Sequence, residues 1–311
     1  MMQTTDTILM IEPTSFGYNP DAAETNKFQQ QAEGLTPAEV QNRALQEFRK
    51  MVQHLIEAGV EVNVIRDVEN SRTPDSIFPN NWFSTHQSGE LVTYPMAPAN
   101  RRQERRQDIT DFLKENYSYK EHVHLEHFEN LPEPKFLEGT GSMILDRVNK
   151  IAYAALSPRT ELEPLQEFCN KLNYRPVTFR AYGPTNELIY HTNVMMCLGE
   201  SFAIVGMDVV DAQDKEKLRQ QLESTGKEII ELTATQTHYH FAGNMLQLRN
   251  KQNETLLVMS EAAFRSLTDE QLTKLKRQNN YLLHLPIHLI EQCGGGSVRC
   301  MIAELFRPEH L

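Results

Sequence analysis

Cysteine is scarce in this sequence. Four residues, at 169, 197, 293 and 300, are spread over 311 positions, too few and too scattered for a disulfide framework in a chain of this size. No Cys-x-x-Cys, no His-Glu-x-x-His and no Gly-x-x-x-x-Gly-Lys phosphate cradle occurs, and Gly294-Gly-Gly lacks the spacing of a dinucleotide fingerprint. These absences set aside the common zinc, ATP and NAD chemistries, so no metal and no organic cofactor is expected. Long apolar runs are missing as well. No stretch of about 18 apolar residues is present, so no membrane span is expected. The opening MMQTTDTILMIEP has neither the basic start nor the apolar core of a secretory signal. Lys and Arg number 31 against 42 Asp and Glu, for a net charge of −11, which argues against a nucleic-acid partner. What remains is a globular chain of ordinary composition, 40% hydrophobic and 23% charged. A reducing cytoplasm is the expected setting, and there a free thiol can be a catalyst. A homo-oligomer is compatible with the sequence but not legible in it.

What the sequence does contain is an internal repeat. Stretches opening at Gly141, Asn193 and Asn244, about 51 or 52 residues apart, each run into an apolar strand, a polar turn and a second apolar strand, then a helix-like stretch and a further strand. One more step lands at Gly294-Gly-Gly-Ser-Val-Arg-Cys-Met, and a longer step backward lands at Asn80-Asn-Trp-Phe. One such unit cannot bury its apolar face alone, so the period means a ring or an array. The first segment complements the last. Residues 5–12 and 60–66 read as strands flanking a helix over 37–58, and the final apolar run is Val298 to Leu305. Joining them in one shared blade closes a ring of five ββαβ-type blades in a single domain, 1–311.

Helix 37–58 has a complete start signal. Thr36 is the N-cap, Pro37 sits at N1 and Glu39 completes a capping box. Val40, Ala44, Phe48, Val52 and Leu55 recur at helical spacing, and Gly59 stops the helix. Half-polar helices are also expected over Arg101–Glu115, Thr160–Leu172, Asp211–Ser224 and Thr268–Asn279, on the outside of the ring. Residues 13–36 have little periodicity. A loop this long is usually functional or disordered, and it reads here as a lid.

In a closed ring, equivalent positions of different blades converge on one end of the axis. Asp75, Glu138, His191 and Cys300 all sit at or just before such openings. A carboxylate, an imidazole and a thiol brought together make a nucleophile with its base and orienting acid. Taken singly, each has a plainer explanation. Glu138 could be a turn acid and His191 a hydrogen-bonded core histidine. Cys169 and Cys197 are best read as structural, and Cys293 has less claim to function than Cys300, which follows a run of three glycines. The joint placement outweighs the separate explanations. His122, His124 and His127 read as the wet face of a strand, and His238 and His240 as a strand face at period-two spacing.

The motifs Leu-Glu138-Gly-x-Gly, His191-x-Asn193, Ala-Gly243-Asn244 and Gly296-Ser-Val-Arg-Cys300-Met resemble the guanidine-modifying amidinotransferase superfamily. This is the pentein group of fivefold α/β-propellers, which includes arginine deiminases and dimethylarginine hydrolases. Pro74-Asp75-Ser-Ile-Phe78, Ala97-Pro-Ala-Asn-Arg101-Arg102 and Leu156-Ser-Pro-Arg159-Thr resemble segments of the dimethylarginine hydrolases. The resemblance implies Cys300 as nucleophile, His191 as acid/base and Glu138 as its orienting acid. It implies Asp75 as a grip on substrate N–H groups, and Arg101 and Arg159 as holders of the α-carboxylate, with Arg102 a weaker alternative to Arg101. Asn80, Asn81 and Asn193 stand where relatives carry acidic residues, and Asn244 completes the set of substrate-binding positions. A pocket of amides suits a neutral ureido group better than a guanidinium. The pattern is closest to the citrulline-utilisation hydrolase branch, so citrulline is the expected substrate. Alternatives are an arginine or methylarginine hydrolase, with Asp75 gripping the guanidinium and further charge supplied elsewhere, for example by Glu187, if Asn80 or Asn81 points away, an amidinotransferase, or a binding protein of the same fold.

Overall fold

A computed structural model of the chain describes residues 1–69 and 71–309. Five three-stranded sheets carry the architecture. In each, the middle strand pairs antiparallel with one neighbour and parallel with the strand that follows it in the chain. The first blade is Phe83–Thr85, Glu90–Thr93 and Glu121–His124. The second is Ile144–Asp146, Ile151–Ala155 and Arg175–Phe179, and the third Met196–Leu198, Phe202–Val205 and Glu228–Glu231. The fourth is Leu246–Arg249, Thr255–Ser260 and Tyr281–Leu285. The fifth joins the two ends of the chain, with Ala303–Glu304 beside Thr7–Glu12 and Thr7–Glu12 beside Glu61–Arg66.

The parallel step requires a crossover, and a helix supplies it in every blade. These helices are Gln107–Tyr117, Leu162–Leu172, Lys215–Ser224 and Pro37–Glu57, with the pair Glu261–Ser266 and Asp269–Gln278 in the fourth blade. Middle strands such as Phe202–Val205 are buried throughout, as expected where both faces are covered. Pro37–Glu57 has the full capping box at Thr36 and buries Val40, Ala44, Phe48, Met51 and Leu55. Val52, expected in that stripe, is only partly buried at its edge.

Three local expectations are corrected. Arg101 is not on the helix of its blade. It lies in a 3-10 turn, Ala99–Glu104, and the helix begins at Gln107. The backbone leaves the helical region between them, at Arg105 (ψ 89°) and Arg106 (ψ 126°), whose side chains reach Glu129 and Asp108. His238 and His240 lie on a short helix, Ala234–His240, opened by a capping box at Thr233 that outweighs the period-two spacing. Lys215, not Asp211, starts the third-blade helix.

Candidate active site

Short turns precede the first strands, and they carry the site. Pro79–Asn81, Gly139–Ser142, Thr192–Val194 and Val298–Met301 are single helical turns of this kind. With the turn at Ala242 and Gly243, they bring Asn80, Asn81, Glu138, His191, Asn193, Asn244 and Cys300 to one end of the axis, each no more than 3% exposed. Two glycines make the approach of these turns feasible. Gly139 has φ +49°, and a Cβ there would run into the backbone of Asn80. A Cβ on Gly141 would strike Asn81 Nδ2 and lie 2.7 Å from His191 Nδ1.

His191 and Glu138 form a short pair, Nε2 to Oε2 at 2.7 Å. The other Glu138 oxygen accepts the Ala97 N–H at 2.9 Å. Burial alone would push Glu138 up. The Arg159 charge, the His191 hydrogen bond and Arg101 outweigh it and hold the carboxyl down at about 2. Burial depresses His191 to about 4 despite Glu138, so the resting imidazole is neutral. Among the described residues no hydrogen-bond partner stands at its Nδ1.

Cys300 Sγ receives two amide donors, Asn193 Nδ2 and Asn244 Nδ2, each at 3.3 Å. The Asn244 amide has one orientation only. Its oxygen accepts the Arg299 N–H at 3.0 Å, and its nitrogen also donates to the Asn193 carbonyl at 2.8 Å. Burial raises the thiol above its usual range, while the Ser297 contact and both amides pull it back. Two backbone amides beside it are committed elsewhere: Cys300 N–H to the Ser297 carbonyl and Gly295 N–H to the Glu291 carbonyl.

The other charged candidates form a second group. Arg101 donates to both oxygens of Glu104 at 2.8 Å, and its Nη1 donates to Asn81 Oδ1 at 2.9 Å. Asp75 lies 3.8 Å from Arg101 and accepts from Asn19 Nδ2 at 2.8 Å. Its Oδ1 is buried without a partner. Arg159 stands 3.5 Å from Glu138 and donates to Ala22 O and Thr25 Oγ1. Arg102 points elsewhere, to the Met96 carbonyl and towards Glu129. Asn19, Ala22 and Thr25 belong to segment 13–36, which is ordered over the site with one helical turn at Pro20–Ala23. Asn26 Nδ2 fastens it to the Gly294 and Gly295 carbonyls. Glu187 is held by Thr185 in a surface loop and joins neither group.

The sequence reading missed several participants. Asn19 and Asn26 sit in an aperiodic stretch with no motif to mark them. Tyr190 packs on His191 at 4.5 Å between centroids and donates its hydroxyl to the Gly295 carbonyl. Its only signal was adjacency to His191.

Compared with known proteins, residues 12–307 match the family model described as N,N dimethylarginine dimethylhydrolase, eukaryotic. The chain belongs to that family. Among solved structures it is similar to apo ArgZ, an arginine dihydrolase from the ornithine-ammonia cycle in cyanobacteria. Identity there is 18% and the TM-score 0.75, over 98% of this chain and 41% of that one. AgrE, solved as a cysteine mutant with L-arginine, is 17% identical with a TM-score of 0.73, over 98% and 40% of the two chains. The chain thus spans about two fifths of these longer relatives, but 98% of the substrate-bound N-terminal domain of ArgZ. A dimethylarginine dimethylaminohydrolase adduct with S-methyl-L-thiocitrulline matches at 13% identity and TM-score 0.64, over 97% of this chain and all of that one. No curated protein matches in sequence. At these identities the neighbours establish the pentein fold.

Proposed function

We propose that this family member hydrolyses citrulline to ornithine, carbon dioxide and ammonia through a covalent intermediate on Cys300. The observation that carries this reading is the orientation of Asn81. A guanidinium can only donate, so Arg101 Nη1 fixes Asn81 Oδ1 on its own side. The Asn81 NH₂ is then left buried and unpartnered beside Gly141 and His191. An unpaired donor needs an acceptor. A ureido oxygen is one, and a guanidinium offers none. The unpartnered oxygens of Asn80 and Asn193 can take the ureido N–H groups.

The charged group supports the other end of the substrate. Asp75 Oδ1 suits an α-ammonium and Arg159 an α-carboxylate, with Asn19, Ala22 and Thr25 closing over them, while Arg101, expected to share the carboxylate, is taken up by Glu104 and Asn81. Zwitterion at one end and neutral ureido at the other describe citrulline.

The chemistry follows from the contacts. The Cys300 thiol gives its proton to the neutral His191, and Asn193 and Asn244 stabilise the thiolate as Glu138 stabilises the imidazolium. Sulfur attacks the ureido carbon, and the developing oxyanion meets the Asn81 NH₂. His191 protonates the side-chain nitrogen as its C–N bond breaks, which frees ornithine and leaves an S-carbamoyl cysteine. Water, deprotonated by His191, cleaves the C–S bond, and the carbamate falls to carbon dioxide and ammonia.

Arginine is the second reading. Asp75 is a buried carboxylate with a free oxygen, and a structural neighbour was solved with L-arginine. The test is kcat/KM for each substrate on the unmodified enzyme, scored for ornithine, citrulline and ammonia. Citrulline is expected to win by at least tenfold. A preference for arginine would overturn the neutral-pocket argument.

A further inference from the structure

Far from Cys300 in the chain, the outer strand of the first blade carries His-Val-His-Leu-Glu over 122–126. His122 and His124 alternate on strand Glu121–His124 and so project from the same face. Glu126 opens the 3-10 turn that follows and comes back beneath them. The two imidazoles lie 3.7 Å apart between centroids, and His124 Nδ1 is 3.5 Å from Glu126 Oε1. Potential ligand atoms of all three residues fall within 4.8 Å of one another.

Plain surface histidines do not need the rest of this arrangement. Thr93 Oγ1 holds His122 Nε2 at 3.0 Å and sets the ring's orientation, the kind of outer contact that positions a metal-binding imidazole. The second Glu126 oxygen, Oε2, is buried and has no hydrogen-bond partner. His127, by contrast, turns away to Glu167.

We infer that His122, His124 and Glu126 form a site for a borderline divalent cation of the zinc type, with two nitrogen ligands, one carboxylate and a position open to water. That donor set is the one Zn²⁺ takes with nitrogen at about 2.0–2.1 Å and carboxylate oxygen at about 2.0–2.2 Å. Bonds of that length put tetrahedral neighbours about 3.5 Å apart, so closing the site needs only modest side-chain rotation. The ion would tie the last strand of the blade to the turn after it, and the hydrolase reaction does not run through it.

The test is calorimetric titration of the intact protein with Zn²⁺, repeated on Cys300→Ser so that a thiolate-bound ion is distinguished. One equivalent should bind in both. His122→Ala with His124→Ala should weaken that binding at least tenfold, and Glu126→Gln should weaken it with less change to the strand. Zn²⁺ should raise Tm in the unmodified chain and not in the double variant, because a ligand of the native state stabilises it. Citrulline turnover should be unchanged in the double variant and in Glu126→Gln. Equal Zn²⁺ affinity in the unmodified chain and the double variant would overturn the site. Loss of binding in Cys300→Ser alone would also overturn it, placing the ion on the nucleophile.

Discussion

Single residues carry the proposed chemistry. That Glu138, His191 and Cys300 come to one end of the ring was legible because each sits at a repeat opening, and the repeat says which residues meet. The orientation of Asn81 was not legible. It depends on a hydrogen bond from Arg101, 20 residues on, whose guanidinium is otherwise held by Glu104. Two expected outcomes belong here. Cys300→Ser should lower kcat for ornithine release by about three orders of magnitude or more with the fold intact, since an alcohol is a far weaker nucleophile beside so weak a base. Cys293→Ser should stay near the unmodified rate, as Cys293 packs in the apolar cluster under helix Pro37–Glu57. The second outcome concerns substrate choice. In Asn81→Asp, Arg101 still holds one oxygen while the other replaces the NH₂ with an acceptor. Combined with Asn193→Asp, it should move the arginine-to-citrulline ratio of kcat/KM at least tenfold towards arginine. No movement would show that neither amide faces the reacting group.

Elements were legible where their signals are local. The Thr36 capping box stands in four consecutive residues, so the helix start was read correctly, and Thr36→Ala should cost about 1 kcal/mol in denaturant unfolding. The strand reading of His238 and His240 failed because period two over three residues is weaker evidence than the cap at Thr233. The docking of segment 13–36 was invisible, because its partners, Asp75, Arg159 and Gly294–Gly295, lie on three other parts of the ring. Helix His288–Gly294 shows what local pattern cannot. It carries Glu291 to Ser297, whose hydroxyl donates to Glu291 Oε1 at 2.6 Å, three residues before Cys300. Burial raises Glu291 to about 7 from an ordinary 4.5. A carboxyl raised on folding binds its proton more tightly in the native state, so its contribution is complete below the unfolded value and lost as pH rises through 7. Glu291→Gln lacks that loss. The Tm difference, variant minus unmodified, should therefore increase between pH 4.5 and about 7 and level off above. A flat difference across that window would mean that Glu291 is not protonated when buried.

At the scale of the whole molecule, the site exists only because the ring closes. Cys300 comes from the turn before the fifth blade, Glu138 and His191 from the turns before the second and third, and no two blades hold a complete set. Closure depends on Ala303–Glu304 pairing with Thr7–Glu12, and a buried pair, Arg299 Nη2 to Glu304 Oε2 at 2.8 Å, locks that strand to the turn that carries Cys300. The period near 51 made the ring legible, yet it could not show where the ends of the described chain lie. Both ends rest on one residue: Met2 N–H donates to Gln87 Oε1 and Glu309 N–H to the Gln87 carbonyl. In a pseudosymmetric ring, blade completeness should matter more than where the chain is cut. Residues 130–134, between the first and second blades, are exposed, which is the setting where new termini are tolerated. A circular permutant opened between Pro132 and Glu133, with the present ends joined by a short Gly/Ser linker, should fold and hydrolyse citrulline within a few-fold of the unmodified rate. Glu304→Ala in the original order leaves Arg299 buried without its carboxylate and should cost about 3–5 kcal/mol, with activity falling as the Cys300 turn loosens. Thermal unfolding and ornithine release measured on both proteins give the comparison. A permutant that fails to fold while Glu304→Ala stays near normal would place the stability in chain order and not in ring closure.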